Sequence, residues 1–328
     1  MMNYEDFASA FEKALQIEMP GLTLRRQMVN KVNGPRDGIA VMFSDTGFAP
    51  LIYLDDMYQG YQAGMSVEEC ASGASEVIYR TKAETPNYIP SSFNDSEHKL
   101  FASIICRANN EELLSVTPHK NIPGTDLSLV ARYRIDDNSS FLVNNSNFSF
   151  LGLKNADEVM SLALENTSRE QFFSQHLGKV LSDLIEIARD SEDAEIVASM
   201  DEDAKKYGAL HVVSNASGND GSVVLGYPEI IKRMVAETGE DQAFILPVSR
   251  MDLFILPASV GKLMGAEEMK GIVHEVNEAI LRPDEVLSNS VYFWNGSSLS
   301  MAEYMKRVLT TSFTRSAEMG LKGPSLTR

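Results

Sequence analysis

Two apolar segments in close succession constrain the fold of this chain more than any other feature. Phe244-Ile-Leu-Pro-Val-Ser is followed, after Arg250, by Met251-Asp-Leu-Phe-Ile-Leu-Pro. Short apolar runs that do not alternate with polar residues are typical of strands covered on both faces, and the polar residues between them indicate a turn. We therefore expect residues 244–246 and 253–256 to form adjacent strands in the core.

A helix is predicted to follow these strands and to pack against them. Between residues 266 and 281, apolar side chains recur at steps of three and four and so share one helical face. These side chains are Met269, Ile272, Val273, Val276 and Ile280. Pro283 ends the helical pattern because proline lacks the backbone N–H that a helix requires.

The rest of the chain also alternates between strand and helix patterns. Helices are predicted over residues 4–18, 66–82, 155–166, 228–237 and 301–311, with an acidic helical region over 168–206. Strands are predicted over residues 22–32, 39–43, 49–54, 100–107, 113–118, 127–135, 140–143, 209–214 and 222–225. This order predicts an α+β protein with antiparallel or mixed sheets and helices packed on them, in two or three subdomains. We expect the boundaries 1–95, 96–206 and 207–328.

The charge and the cysteine content limit the partners and the compartment. The net charge is −17, which disfavours nucleic acid and anionic membranes as partners. Cys70 and Cys106 are the only cysteines, and each lies in an apolar pattern. A disulfide scaffold is therefore not expected, and both thiols are predicted to be core residues. Neither a secretory signal nor an apolar run long enough to span a bilayer is found, so we expect a cytoplasmic protein.

The sequence carries no motif for a phosphate loop, a dinucleotide site or a nucleophile elbow. Ser259 and Lys262 fit the Ser-x-x-Lys pattern of penicillin-recognising enzymes, but the partner motifs of those enzymes are missing. Ser96 and Lys99 fit the same pattern, which shows how little it discriminates. The five histidines have no partner at metal-ligand spacing, so neither a metal nor a cofactor is predicted.

Arg250 and Asp252 form the most informative polar pair of the chain. They lie between the two core strands, where a charged residue either belongs to a turn or lines a pocket as a paired, partly buried guanidinium. Arg250, Asp252, Ser259 and Lys262 are the candidate site residues, and no catalytic role is assigned to them.

A cluster of tyrosines follows the third predicted strand. Tyr53, Tyr58 and Tyr61 surround a short acidic segment with two glycines. Tyrosine rings at a sheet edge commonly pack in the core and expose their hydroxyl groups. An aromatic surface for a partner protein is the alternative interpretation.

Several segments in combination resemble an uncharacterised bacterial family, the domain of unknown function 5688. The segments are Met2-Asn-Tyr-Glu-Asp-Phe, Pro50-Leu-Ile-Tyr-Leu-Asp-Asp-Met-Tyr, Ala163-Leu-Glu-Asn-Thr, Ala243-Phe-Ile-Leu-Pro-Val-Ser, and Val276-Asn-Glu followed by Pro283-Asp-Glu-Val-Leu-Ser-Asn-Ser-Val-Tyr. The resemblance covers most of the chain. It implies no activity, no cofactor and no catalytic residues.

Three hypotheses about function follow. The first is a protein-interaction module without catalysis, because the sequence predicts a well-formed core but contains no recognisable catalytic site. The second is an enzyme whose scattered site residues lie near the strand pair of residues 244–262. The third is an acidic mimic of nucleic acid, because acidic side chains outnumber basic ones after Ser182.

Overall fold

The computed structural model of the chain describes residues 1–43, 49–84, 97–135, 140–145, 151–188, 208–279 and 281–302. Helices and antiparallel strands follow one another through these ranges, so the α+β class predicted from the sequence is confirmed. The chain divides into an N-terminal unit (residues 1–99 with 135–139) and a C-terminal unit (residues 100–134 with 140–328). The three subdomains with boundaries after residues 95 and 206 stay a prediction.

The described part of the N-terminal unit contains a three-stranded sheet and three helices. In chain order these are α1 (Tyr4–Glu18), β1 (Thr23–Lys31), β2 (Gly34–Met42), β3 (Leu51–Tyr53), α2 (Leu54–Gln62) and α3 (Val67–Glu84). The sheet has the order β1-β2-β3, and both pairings are antiparallel. Strand β2 begins five residues earlier than predicted, because the turn is completed at Val32 and Asn33, with Asn33 in the left-handed conformation at φ +67°.

Helices α1 and α3 of the N-terminal unit begin within one residue of the predicted positions, whereas α2 was not predicted. The Oδ1 atom of Asn3 accepts a hydrogen bond from the backbone N–H of Asp6 and so caps α1. At the start of α3, the Glu69 N–H donates to Ser66 Oγ at 3.1 Å, and Glu69 Oε2 accepts from the Ser66 N–H at 2.8 Å. This is a reciprocal capping box, the arrangement that the Ser-x-x-Glu spacing of Ser66-Val-Glu-Glu69 favours.

Ten strands in two sheets are described in the C-terminal unit. Its elements are β4 (Leu100–Cys106), α4 (Glu111–Ser115), β5 (His119–Asn121), β6 (Leu127–Arg134), β7 (Ser140–Leu142), α5 (Ala156–Ser168), β8 (Phe172–His176), α6 (Leu177–Ala188), β9 (His211–Asn215), a 3₁₀ helix (Gly221–Gly226), α7 (Pro228–Ala236), β10 (Ala243–Leu246), β11 (Leu253–Pro257), α8 (Ala258–Met264), α9 (Ala266–Ala279), β12 (Tyr292–Trp294) and β13 (Leu299–Met301). One sheet has the order β4-β6-β5 with β7 also paired to β6, and the other has the order β13-β12-β10-β11-β9-β8.

The predicted strand pair forms the centre of the six-stranded sheet. Strands β10 and β11 are antiparallel neighbours with Ile245 opposite Ile255, and both side chains are fully buried. Phe244 and Leu246 lie on the other face of β10, where they share a core cluster with Met269 of α9 and its neighbours Ile272 and Val273. The adjacent core strands and the helix that packs against them are therefore confirmed.

Three sequence predictions in the C-terminal unit are wrong. Residues 113–118 are not a strand, since Leu113 and Leu114 belong to helix α4. Residues 222–225 form most of a 3₁₀ helix. The region of 168–206 is not helical from its start, because β8 precedes α6. Short apolar runs fit a buried strand and a buried helical turn equally well, which is the reason for the first two errors.

Two predictions concern residues outside the described ranges. These are the acidic stretch between Asp190 and Lys206 and the helix over 301–311 beyond Ala302. Within the described part of the chain, none of the helices is both long and apolar enough to cross a membrane.

Strands β8 and β9 are neighbours in space although residues 177–210 separate them in sequence. His176 lies opposite His211, with their ring centroids 5.2 Å apart, and the Leu177 N–H donates to the Leu210 carbonyl at 2.7 Å. The chain therefore leaves the sheet and returns to it at one place.

The His211 ring makes stability depend on pH. Burial, with a smaller contribution from His176, lowers the pKa of His211 below its ordinary value of 6.5. The unfolded chain therefore binds this proton at a higher pH than the folded chain, so stability falls as the pH drops below about 6.5. We expect His211→Gln to flatten the dependence of the urea midpoint on pH between about pH 7 and pH 5. The matched control is His274→Gln, which removes an exposed imidazole from α9. Equal slopes in the two variants would contradict the prediction.

Candidate functional site

An open apolar pocket lies in the N-terminal unit between β3, α2 and α3. Its volume is about 360 Å³, at the lower end of the range of small-ligand pockets. The lining residues are Leu51, Ile52, Tyr53, Asp56, Met57, Gly60, Met65, Glu69, Cys70, Gly73, Ala74, Val77 and Ile78. Only Asp56 and Glu69 among them carry a charge. We call this feature the N-terminal pocket.

Two glycines leave space for the N-terminal pocket. Gly73 lies on α3, and a Cβ atom added there would have no heavy atom within 4 Å. Gly60 lies on α2, where an added Cβ would approach Met65 Sδ to 3.2 Å and Cys70 Sγ to 3.7 Å. The helices therefore approach one another without filling the space between them, and a longer side chain at position 73 would occupy it.

The rim of the N-terminal pocket combines exposed apolar side chains with carboxylates. Met65 is 45% exposed and Val77 is 48% exposed, so both present hydrophobic surface to solvent at the mouth. Asp56 is paired with Arg36 at 2.6 Å, whereas Glu69 accepts hydrogen bonds from Ser66. The surface that surrounds the apolar floor is therefore polar and in part acidic.

Cys70 contributes to the floor of the N-terminal pocket as an apolar group. The thiol is free, and the residue is 3% exposed. Burial, with a smaller contribution from Glu69, raises the pKa of the Cys70 thiol above its ordinary value. A thiol that stays protonated at neutral pH is a poor nucleophile. The arrangement favours binding of an apolar group over covalent chemistry.

The tyrosines singled out in the sequence have two different environments. Tyr58 and Tyr61 pack against Phe7 of α1, with ring centroids 5.3 and 5.1 Å from it. Their hydroxyl groups bond to the backbone of Met2, at 3.1 and 2.9 Å. Tyr53 instead lines the N-terminal pocket and lies under the Arg36 guanidinium at 3.9 Å. Ring packing is therefore observed for two of the three.

The candidate residue Arg250 lies in the turn between β10 and β11 and pairs with a buried carboxylate. Its Nη1 atom is 3.5 Å from Asp220 Oδ1. Its backbone is fixed on both sides, because its N–H donates to the Glu285 carbonyl and its carbonyl accepts from the Ser222 N–H. Asp252 belongs to the same turn, where its backbone N–H donates to Ser249 Oγ at 2.9 Å.

Ser259 and Lys262 lie on α8, beyond the opposite end of β11. The five residues of that strand separate Asp252 from Ser259 by roughly 17 Å, at about 3.4 Å per residue. Ser259 donates to the exposed carboxylate of Glu240 through both its N–H and its hydroxyl. These hydrogen bonds lower the pKa of Glu240, which weakens it as a base toward the serine. The structure does not bring the four candidate residues to one place.

Sequence reasoning missed Asp220, Arg132 and the N-terminal pocket. Asp220 and Arg132 lie far apart in sequence but interact electrostatically in the C-terminal unit. Gly60 and Gly73 were the signal for the pocket, since a glycine inside a helix costs stability and so indicates a packing reason. Among the described residues, no group of three or more His, Cys, Asp or Glu side chains is arranged to hold a metal ion.

Comparison with known protein families identifies the family of this chain. The model of a protein family described as "Family of unknown function (DUF5688)" matches residues 4–296, from α1 through β12. The family resemblance seen in the sequence is therefore confirmed, whereas a bacterial origin stays a prediction. Neither the search of curated proteins nor the search of solved structures returned a significant match.

Proposed function

Because the chain belongs to the family of unknown function DUF5688, whose description assigns no activity, we propose a function from the geometry: the protein is a non-catalytic interaction module whose N-terminal pocket binds an apolar side chain of a partner protein. The observation that carries this proposal is the open apolar space beside Gly73, with Met65 and Val77 exposed at its mouth.

The chemistry of the pocket favours a protein segment as the occupant. Anchor residues of protein interfaces are large apolar or aromatic side chains that fill such pockets, surrounded by a polar rim. Glu68 and Glu69 in the first turn of α3 are both exposed, and the whole chain has a net charge of −17. A basic residue beside the apolar anchor would therefore be attracted to this rim.

The other functions inferred from the sequence are less well supported. An enzyme built around Arg250, Asp252, Ser259 and Lys262 would need these residues to converge, and β11 separates them. An acidic mimic of nucleic acid depends on residues 189–207, which lie outside the described ranges. The cytoplasm is part of this proposal, since two free, buried cysteines suit a reducing compartment.

The variant Gly73→Leu tests the proposal, because it fills the pocket without a clash in the core. The matched control is Gly271→Leu, on helix α9, where an added Cβ likewise meets no atom within 4 Å. Random peptides selected on the wild-type protein should combine an aliphatic or aromatic residue with Lys or Arg. Their affinity should fall at least about tenfold for Gly73→Leu and stay the same for Gly271→Leu.

Two results would overturn the proposed function. One is a set of selected peptides that bind wild type and Gly73→Leu equally well. The other is turnover of a substrate by the purified protein in a broad hydrolase and transferase panel, which would show that the protein is an enzyme and not a non-catalytic module. The thermal midpoints of both variants, measured in parallel, distinguish a blocked pocket from loss of the fold.

A further inference from the structure

One face of the four-stranded sheet in the C-terminal unit carries polar and cationic side chains. Ser103 of β4 lies directly opposite Val130 of β6, and residues opposite each other in an antiparallel pair project to the same face. Because side chains alternate along a strand, Arg132 and Arg134 lie on that face as well. A strand of the core therefore presents two arginines beside a serine.

Asp220 meets this face as a buried carboxylate. The residue is 5% exposed, and its Oδ1 atom accepts a hydrogen bond from Ser103 Oγ. Arg250 lies near it, at 3.5 Å between Nη1 and Oδ1. That distance exceeds the usual length of a charge-assisted hydrogen bond, about 2.7–2.9 Å. Asp220 therefore orients Arg250 without engaging its guanidinium fully.

Arg132 is held in place by its neighbour strand β7. Its Nε and Nη2 atoms donate to Ser140 Oγ at 3.1 and 3.0 Å, and Nη2 also donates to the Ser140 carbonyl at 3.2 Å. Burial, with a further contribution from the positive charge of Arg250, lowers the pKa of Arg132 to about 10. Two guanidinium groups thus share a partly desolvated region with one carboxylate.

The charges of this cluster do not balance within the described part of the chain. The cationic side chains are Arg132, Arg134 and Arg250. The carboxylates are Asp220 and Glu170, and Glu170 is already engaged by Asn215 Nδ2 at 2.9 Å and lies 3.7 Å from Arg134 Nη2. Among the described residues, one positive charge is left over. Such a local excess favours a bound anion, although the net charge of −17 on the whole chain opposes it.

The cluster is open to solvent on the side of Arg250, Arg134 and Glu170. Their side chains are 22%, 40% and 25% exposed, whereas Asp220 behind them is buried. A small ligand therefore has access to the guanidinium groups of Arg250 and Arg134 without any movement of the core, and Arg132 beside them is half-buried. The fixed backbone of Arg250 and the Ser140 contacts of Arg132 hold the two donors in place before a ligand binds.

We propose that Arg132 and Arg250 bind one oxyanion group, a carboxylate or a phosphate, at the solvent-facing side of this cluster. The planar fork of the Arg250 guanidinium presents paired N–H donors that match two oxygens of such a group. Arg132 adds its Nη1 atom, the nitrogen that Ser140 does not engage. Asp220 and Ser140 act as positioning residues, since each holds one of the two arginines. This site is independent of the N-terminal pocket, and neither requires the other.

The test measures stabilisation and heat of binding for the full-length protein with simple anions. Thermal midpoints are recorded at constant ionic strength and neutral pH while chloride is replaced by inorganic phosphate in one series and by acetate in another. Isothermal titration calorimetry gives the affinity for each anion. The variants are Arg250→Gln and Arg250→Lys, and the matched control is Arg169→Gln, which removes an exposed arginine of the same unit that pairs with Glu165.

We expect a saturable rise of the thermal midpoint with phosphate, acetate or both. The affinity should fall at least about tenfold in Arg250→Gln, fall less in Arg250→Lys, and stay unchanged in Arg169→Gln. The series that saturates first identifies the phosphate or the carboxylate as the preferred group. An equal response of all four proteins, or no saturable response of the wild type to either anion, would overturn the site.

Discussion

Replacing Ile255 with alanine is expected to lower the free energy of unfolding of the C-terminal unit by about 2–5 kcal/mol. Ile255 is fully buried at the centre of the six-stranded sheet, opposite Ile245 on one side and His211 on the other. Truncation removes buried apolar surface and leaves a cavity that strands paired on both sides are poorly able to close. Urea unfolding followed by the fluorescence of Trp294, the single tryptophan, reports on this unit.

Two further variants make this result specific to burial. Lys262→Ala removes an exposed side chain of α8 and should cost less than about 0.5 kcal/mol. Val276 of α9 is half-buried at the edge of the core cluster that this helix covers. The loss of unfolding free energy in Val276→Ala should therefore be smaller than in Ile255→Ala and larger than in Lys262→Ala. If Lys262→Ala were as damaging as Ile255→Ala, Lys262 would have to be buried and paired, and the described packing of α8 would be wrong.

The second large effect is expected at Asp126, in the loop between β5 and β6. Its carboxylate accepts hydrogen bonds from Ser288 Oγ at 3.1 Å, Ser290 Oγ at 3.0 Å and Tyr292 Oη. Burial raises the pKa of Tyr292 well above its ordinary value, so the hydroxyl keeps its proton and donates. Asp126→Ala leaves three donors without their acceptor, and we expect a loss of about 2–4 kcal/mol in the free energy of unfolding.

A double-mutant cycle separates this contact from other effects of the substitution. Asp126→Ala, Tyr292→Phe and the double variant are compared by urea unfolding, and a coupling energy of at least about 1 kcal/mol is expected for two groups in direct contact. Asp126→Asn keeps one acceptor oxygen and should be less damaging than Asp126→Ala. Additive losses in the double variant would mean that the loop and β12 do not depend on this hydrogen bond.

The sequence predicts the centre of the fold because runs of apolar side chains indicate which segments are buried. The runs at Phe244 and Leu253 could only be core strands or core helical turns, and Arg250 between them indicates the reversal that pairs them. The helix α9 follows from the spacing of Met269, Ile272 and Val273. At residues 113–118 and 222–225 the apolar runs were also short, and neither their length nor their apolar content separated a strand from a helical turn.

The polar cluster could not be predicted from the sequence for a different reason. Ser103 and Asp220 are 117 residues apart, and a contact over such a separation leaves no periodicity in either segment. Arg250 was identified because a charge stood out between two apolar strands, whereas Arg132 was hidden among the residues of β6. The N-terminal pocket exists because Gly60 and Gly73 have no side chains. The sequence shows the positions of these glycines but not the space beside them.

The ends of the connection between β8 and β9 lie side by side in the sheet, which determines how this chain tolerates insertions. The excursion of residues 177–210 starts and finishes at His176 and His211, which already face each other in the sheet. The entropy cost of closing a loop grows only with the logarithm of its length. A longer or shorter connection inserted between these two ends would therefore leave the order of the six strands unchanged.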